Sequence, residues 1–171
     1  MTAAIDFESL VTKHSAEIFA YIWRMLRDTL DAEDCLQETF LRAYRAYPRL
    51  PIDANHRAWL YKIATNTART HIQRRTRDQR RVSDLDPELQ SDRSSPLDGL
   101  DQRERLAAVT RAVEALPYQQ RAALVMKKYQ ELSYEAIASA LNCSEDAARA
   151  NVYQALKKLR AQFTEELEVS R

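Results

Sequence analysis

A chain of 171 residues with a single glycine, Gly99, has little freedom to build sheets. Tight hairpin turns demand positive φ at one or two positions, and glycine supplies it at least cost. The five prolines cannot take that role. The fold class is therefore all-α. A chain of this length makes one ordinary domain or two small ones. Small helical domains bury a limited share of their surface, so partner surfaces matter here.

Apolar residues recur at three-four spacing along most of the chain. The first helix runs from Ile5 to Arg27, with Leu10, Val11, Ile18, Phe19, Ile22, Met25 and Leu26 on its inner side and Tyr21 and Trp23 in the core. The second runs from Asp31 to Tyr47. Asp28, Thr29 and Asp31 are its candidate caps, and Leu36, Phe40, Leu41, Ala43 and Tyr44 its expected buried stripe. Pro48 stops it. After a loop, Asn55 caps a third helix. Its inner face carries Leu60, Ile63, Ala64, Thr67, Ala68, His71 and Ile72, and its outer face Lys62, Thr65, Asn66, Arg69 and Gln73.

Val82 to Leu97, with Pro87, Pro96, Ser91, Ser94 and Ser95 among its acids, cannot build a packed core. It reads as a flexible acidic linker that lets its two sides move. The organisation is then a domain over 1–81, a linker over 82–98 and a second domain over 99–171. In the second domain Leu106, Val109, Val113 and Leu116 point inward. Pro117 opens the next helix. Ser133 caps a short helix to Leu141, Asn142 and Cys143 make a tight turn, and Ser144 caps the last helix.

The net charge is only +1, but its distribution is uneven. Six arginines stand between Arg69 and Arg81 against Asp78 alone. The stretch from Ser83 to Glu104 is acidic. Such blocks argue for specific charged surfaces, not for a uniformly basic protein. Cys35 and Cys143 are far apart and outside any CxxC, and His14, His56 and His71 are scattered, so neither zinc nor a disulfide framework is expected. No cofactor is expected. No apolar run approaches the roughly 18 residues of a membrane span, and no secretory leader opens the chain, so a cytoplasmic protein without membrane insertion is expected.

Three stretches carry chemistry. Ser133 to Leu159 is helix, short turn, longer helix, the pattern in which the second helix enters the major groove. Its outward residues are Glu145, Asp146, Arg149, Tyr153 and Lys157, flanked by Asn151 and Gln154, which can pair with adenine. The same pattern also fits a helical hairpin with a solvated polar face. The run beyond Asn66, including Arg69, Arg74 and Arg75, can neutralise phosphates, or remain a solvated arm. The acids Asp31, Glu33, Asp34 and Glu38, with Gln37, would repel DNA. They either compensate the helix dipole or dock on a cationic protein. There is no Gly-rich phosphate cradle and no grouped nucleophile, base and acid, so no enzyme is expected.

Together these residues resemble the bacterial ECF (extracytoplasmic function) group of RNA polymerase sigma factors. Asp31-Ala-Glu33-Asp34-Cys-Leu-Gln37-Glu38-Thr-Phe40 is similar to the polymerase-binding helix of region 2. Trp59-Leu-Tyr-Lys-Ile-Ala-Thr-Asn66 is similar to the promoter-melting part of that region. Ala115-Leu-Pro117-Tyr-Gln-Gln-Arg121, Leu132-Ser-Tyr-Glu-Ala-Ile-Ala138 and Ala155-Leu-Lys-Lys-Leu-Arg160 resemble region 4.

The resemblance implies that Asp31, Glu33, Asp34, Gln37 and Glu38 dock on the beta-prime clamp helices of core RNA polymerase. The loop from Arg49 to Arg57 and the outer face of the next helix would read the −10 element, with one base taken out of the stack. Arg57, Lys62, Asn66, Arg69, Arg74 and Arg75 are the candidates for that surface, and Trp59 supports it. The second domain would read the −35 element with Ser144, Arg149, Asn151, Tyr153, Gln154 and Lys157, and contact the beta flap. An anti-sigma factor is a further expected partner. The family's recognition helix often carries arginines where this chain has Asn151 and Gln154, and an acid stands at Asp146, which implies altered −35 readout. The readings from other classes are a stand-alone helix-turn-helix regulator and an all-helical adaptor. Core-dependent, promoter-specific initiation separates them.

Overall fold

The computed structural model describes residues 6–85 and 102–169. Seven α-helices account for nearly all of them: α1 Phe7–Leu26, α2 Thr29–Ala46, α3 His56–Leu85, α4 Gln102–Glu114, α5 Tyr118–Lys128, α6 Tyr134–Leu141 and α7 Glu145–Val169. A single turn of 3-10 helix, Tyr47–Arg49, contains Pro48 and ends α2 as expected. No strand occurs among the described residues.

Short polar side chains start the helices. Asp6 accepts from the Ser9 amide at 2.8 Å, Asp28 from Asp31 at 2.9 Å, and Asn55 from Ala58 at 3.0 Å. Ser133 accepts from Ala136 and Ser144 from Ala147, each at 3.1 Å. Each cap satisfies one of the orphan amides of a first turn. With no glycine at hand, three non-glycine residues take the left-handed region: Arg27 (φ 57°), Glu131 (φ 53°) and Asn142 (φ 53°). Arg27 and Asn142 end α1 and α6.

Helix α1 packs on α2 and α3, and α2 on α3; α5, α6 and α7 pack mutually, with α4 against α7. The two groups also meet, α3 against α6 and α1 against α5. One apolar cluster therefore runs from Leu10, Ile18 and Tyr21 through Leu60 and Tyr61 into Ala122, Met126 and Ile137. A smaller one under α7 joins Leu116, Leu124 and Ala155.

Several expected positions change. In α2 the buried residues are Ala32, Cys35, Thr39 and Ala43. That stripe of small side chains lets α2 lie close between its neighbours, and it turns Leu41 (57% exposed) and Tyr44 (64%) outward. Leu106 and Val109 are exposed as well, because α4 docks through its C-terminal end at Ala112, Val113 and Leu116. Thr65, expected on the outer face of α3, is buried. Its hydroxyl sits 2.8 Å from the Tyr21 hydroxyl and donates to the Tyr61 carbonyl at 2.6 Å. Trp23 is half-buried, stacked under the Arg27 guanidinium at 4.1 Å. Helix α3 continues to Leu85, past the expected boundary at 81, and the rest of the expected linker lies outside the described residues.

Candidate docking and nucleic-acid interfaces

The acidic face of α2 is shaped by its cap. Asp28 fixes the first turn, and the residues after it follow at 100° steps. Glu33, Asp34 and Gln37 are exposed; Asp31 and Glu38 are half-buried because α3 lies beside them. Asp31 Oδ2 is 3.5 Å from the Arg75 guanidinium, and Glu38 pairs with Arg42 on its own helix and with His71 Nε2 at 3.5 Å. Partial burial raises the Glu38 carboxyl, but the Arg42 and His71 contacts outweigh it and hold it below the usual carboxylate range.

The sequence reading missed the apolar component of this face. Leu30, Asp34, Gln37, Leu41 and Tyr44 fall within an arc of about 80° on the helix. All five are exposed. The seven-residue recurrence Leu30, Gln37, Tyr44 was the signal for it: that spacing makes a seam for a helical partner. Acids flank the seam, which gives it the charge complementary to a cationic surface.

Helix α3 divides its candidate residues between two sides. Lys62, Asn66 and Arg69 lie within an arc of about 60°. Asn66 and Arg69 are exposed and Lys62 half-buried. Arg74 is exposed on the flank of that stripe. Arg75 turns to α2 and Asp31. Arg57 shares the Arg75 side of the helix, about five turns nearer its start. It donates to Glu17 Oε2 from Nη2 at 2.7 Å and from Nε at 3.0 Å, and Nη2 also donates to the Gln130 carbonyl at 2.8 Å. Trp59 is half-buried against Tyr47, with ring centroids 6.4 Å apart.

Glu17 is the hub of this corner and was not a candidate from sequence. Burial opposes its charge, but bonds from Arg57, His14 and Tyr61, with the Arg57 charge, keep its carboxyl below the usual range. The Arg57 guanidinium is correspondingly held more firmly protonated by its bonds to Glu17. Beside it, Leu10, Lys13, His14, Glu17, Asn55, His56 and Arg57 line an open cleft of about 400 Å³.

In the second half, α6, the left-handed turn at Asn142 and the Ser144 cap set up α7 as the second helix of a helix-turn-helix. Arg149, Tyr153 and Lys157 follow at four-residue steps and are exposed, with exposed Gln154 at their edge. Ser144 is exposed at the helix start. Asn151 is half-buried and lies about 120–160° from the stripe of Arg149, Tyr153 and Lys157, but only about 60° from Gln154. Arg149 pairs with Glu145 and lies 4.5 Å over the Tyr134 ring, and Lys127 Nζ lies 4.4 Å from the same ring. The ring thus gathers two cations at the base of α7, a grouping that residues 22 apart do not announce in sequence.

Cys35 is buried and its thiol is pushed up to about 12 by burial, so it is a packing residue and not a reactive one. Among the described residues no cluster of three metal-ligating side chains occurs, and no helix is long and apolar enough to cross a membrane.

Residues 10–78 match the Sigma-70 region 2 family and residues 106–159 match Sigma-70, region 4. The chain is 32% identical over 160 residues to the RNA polymerase sigma-H factor of Pseudomonas aeruginosa, covering 87% of this chain and 81% of that one. It is 29% identical over 157 residues to the ECF RNA polymerase sigma-E factor of Escherichia coli K12, covering 87% and 82%. Two solved structures share its fold. CnrH, in complex with the cytosolic domain of CnrY, superposes with a TM-score of 0.67 at 23% identity over 93% of this chain and 88% of that one. The sigma factor RpoE of Bartonella quintana, in complex with the anti-sigma factor NepR, gives 0.66 at 21% over 97% and 99%.

Proposed function

This chain belongs to the sigma-70 family of RNA polymerase sigma factors, in its ECF group, and from that premise we propose how its surfaces divide the work of initiation. It is a sigma factor: it binds core RNA polymerase and promoter DNA and directs promoter-specific transcription initiation. A stand-alone helix-turn-helix regulator is not favoured, since it has no use for the acidic face of α2.

The observation that carries the assignment of surfaces is the α2 seam: Asp34 and Gln37 stand between exposed Leu30, Leu41 and Tyr44, flanked by Glu33. An apolar seam edged by carboxylates suits the clamp helices of the beta-prime subunit, with the acids steering and fixing register and the apolar residues giving buried area. Asp31 and Glu38 join the contact by exchanging Arg75 and His71 for polymerase cations. The stripe Lys62, Asn66 and Arg69, with Arg74, Arg75 and Arg57 around it, takes the −10 strand. Helix α7 takes the −35 duplex through Ser144, Arg149, Tyr153, Gln154 and Lys157, with Asn151 the most withdrawn, and the second half meets the beta flap. Solved neighbours of this fold are complexes with CnrY and with the anti-sigma factor NepR, which supports an anti-sigma factor as a partner here too. The place of action is the cytoplasm.

The deciding experiment is charge reversal. Asp34→Lys combined with Glu38→Lys is expected to abolish holoenzyme assembly, measured by co-purification with core polymerase and by run-off transcription. The helical circular dichroism should stay that of the wild type. Unaltered assembly rejects α2 as the docking helix.

A further inference from the structure

The two halves are joined by more than apolar contact. Along one edge of α3, at four-residue steps, Arg57, Tyr61, Thr65 and Arg69 each meet a residue of the second half. Arg57 donates to the Gln130 carbonyl at 2.8 Å, and the Tyr61 hydroxyl lies 3.1 Å from Gln130 Oε1. The Tyr118 hydroxyl donates to the Thr65 carbonyl at 2.6 Å, and the Arg69 guanidinium lies 5.2 Å from the centre of the Tyr118 ring. From α1, Arg24 stacks on Tyr129 at 4.5 Å and Arg27 reaches Glu114 at 3.6 Å.

Tyr118 is the telling member. An aromatic ring against an arginine, anchored by a polar edge, is how a single-stranded base is held. Tyr118 offers that arrangement from within the chain, one residue from Asn66 and directly on Arg69. A promoter base and Tyr118 cannot both occupy it.

The same contact carries an internal cost. Arg121, one turn after Tyr118, is only 9% exposed. Its guanidinium reaches the Glu114 backbone carbonyl at 3.5 Å, its Nε has no hydrogen-bond partner, and it makes no ion pair among the described residues. It also lies 5.7 Å from the Tyr118 ring, so a second cation crowds the contact that Arg69 makes. The Glu114 carboxylate acts on Arg121 only through space and pairs with Arg27, so the burial of this charge is incompletely offset and disfavours the arrangement.

We propose that Tyr118 competes with the promoter single strand for the Arg69 side of α3, closing the free chain on itself, and that Arg121 keeps this closed state poised to open. The competition rests on the assignment of Lys62, Asn66 and Arg69 to the −10 strand; the closure does not.

The full chain is compared with Tyr118→Ala, Tyr118→Phe and Arg121→Met, without core polymerase. The readouts are the radius of gyration by small-angle scattering and the affinity for a labelled −10 single-stranded oligonucleotide. Tyr118→Ala should expand the chain and tighten the oligonucleotide roughly three- to ten-fold, the worth of a cation–π contact with a hydrogen bond. Tyr118→Phe keeps the ring and should lie between. Arg121→Met should leave the chain compact and weaken the oligonucleotide. An unchanged radius and affinity in Tyr118→Ala, or an expanded Arg121→Met, overturns the proposal. Expansion without tighter binding also overturns it. In that event Asn66→Ala in the holoenzyme, assayed by −10-dependent transcription, shows whether the −10 assignment falls with it.

Discussion

The two proposed nucleic-acid surfaces stand in different conditions. On α3 three of the cations already have partners within the chain: Arg57 is held by Glu17 and Gln130, Arg69 lies on Tyr118, and Arg75 lies against Asp31, while Arg74 is exposed. On α7 the corresponding side chains, Arg149, Tyr153, Gln154 and Lys157, are exposed, and Arg149's carboxylate partner is on its own helix. Chemistry explains the difference. Single-strand capture needs apolar and polar surface that would otherwise be left bare, and a free chain covers such surface with itself. Duplex reading needs only a solvated polar stripe, which can wait in water. On the proposed assignments, the α7 stripe is open in the free chain while part of the α3 surface is covered, which suits a factor that engages single strands only with the polymerase that opens them.

The sharpest way to break this contrast is through stability. Arg57→Ala removes a two-pronged ion pair at a half-buried carboxylate and strands Glu17 with only His14 and Tyr61. It should destabilise the fold by about 2 kcal/mol. Arg149→Ala removes a solvated pair and should change stability by less than about 0.5 kcal/mol. Urea unfolding of both variants decides it; equal losses would erase the distinction between a built-in and a waiting surface.

Acid should act on the same corner. The Glu17 carboxyl titrates below its usual range in the fold, so its contribution is complete above the unfolded carboxylate value, about 4.3, and is lost as pH falls through the lower folded value. The groups around it are Arg57, His14 and Tyr61, with Lys13 and His56 lining the adjoining cleft. Stability attributable to Glu17, taken as the difference from Glu17→Gln, should be flat from pH 8 to 5 and shrink below about pH 4. A difference that already shrinks near pH 6 would assign the dependence to a histidine instead.

These tests address what sequence could not carry. The all-helical class followed from one glycine, and the caps at Asn55, Ser133 and Ser144 followed from residue type, because both are local. The exposed acids of α2 and the polar stripe of α7 were legible for the same reason: they lie on single helices with a regular pitch. Leu41 and Tyr44 were misplaced because bulk was taken as the sign of burial, whereas α2 packs closely through Ala32, Cys35, Thr39 and Ala43. Arg57 with Gln130, and Tyr118 with Thr65, were out of reach. Those contacts join residues 73 and 53 apart in numbering, across two halves that the sequence describes as free to move.

On the waiting surface the expected effects are ones of affinity. Lys157→Ala and Arg149→Ala each remove one cation from the α7 stripe. If both meet phosphates, each should lower the slope of log affinity against log salt by about one for −35 duplex, nearly uniformly across sequences. Gln154→Ala should leave that slope unchanged and alter base preference, at roughly 1–3 kcal/mol for a bidentate contact. A Gln154 variant with unchanged preference would remove base reading from that side of α7.

The smallest effects separate the two turns that hold these surfaces. Glu131 and Asn142 both sit at φ 53°, the first beside Gln130 at the contact between the halves, the second at the helix-turn-helix bend. A glutamate gains nothing locally from that conformation, while an asparagine tolerates it. Glu131→Gly should therefore stabilise the chain, net of the extra freedom glycine gives the unfolded state, by up to about 0.5 kcal/mol, and Asn142→Gly by nothing measurable. Thermal unfolding of the two variants checks this. A gain at Asn142 that matched the gain at Glu131 would mean that the bend under the −35 surface is as strained as the loop that closes over the −10 surface, and the contrast between them would reduce to exposure alone.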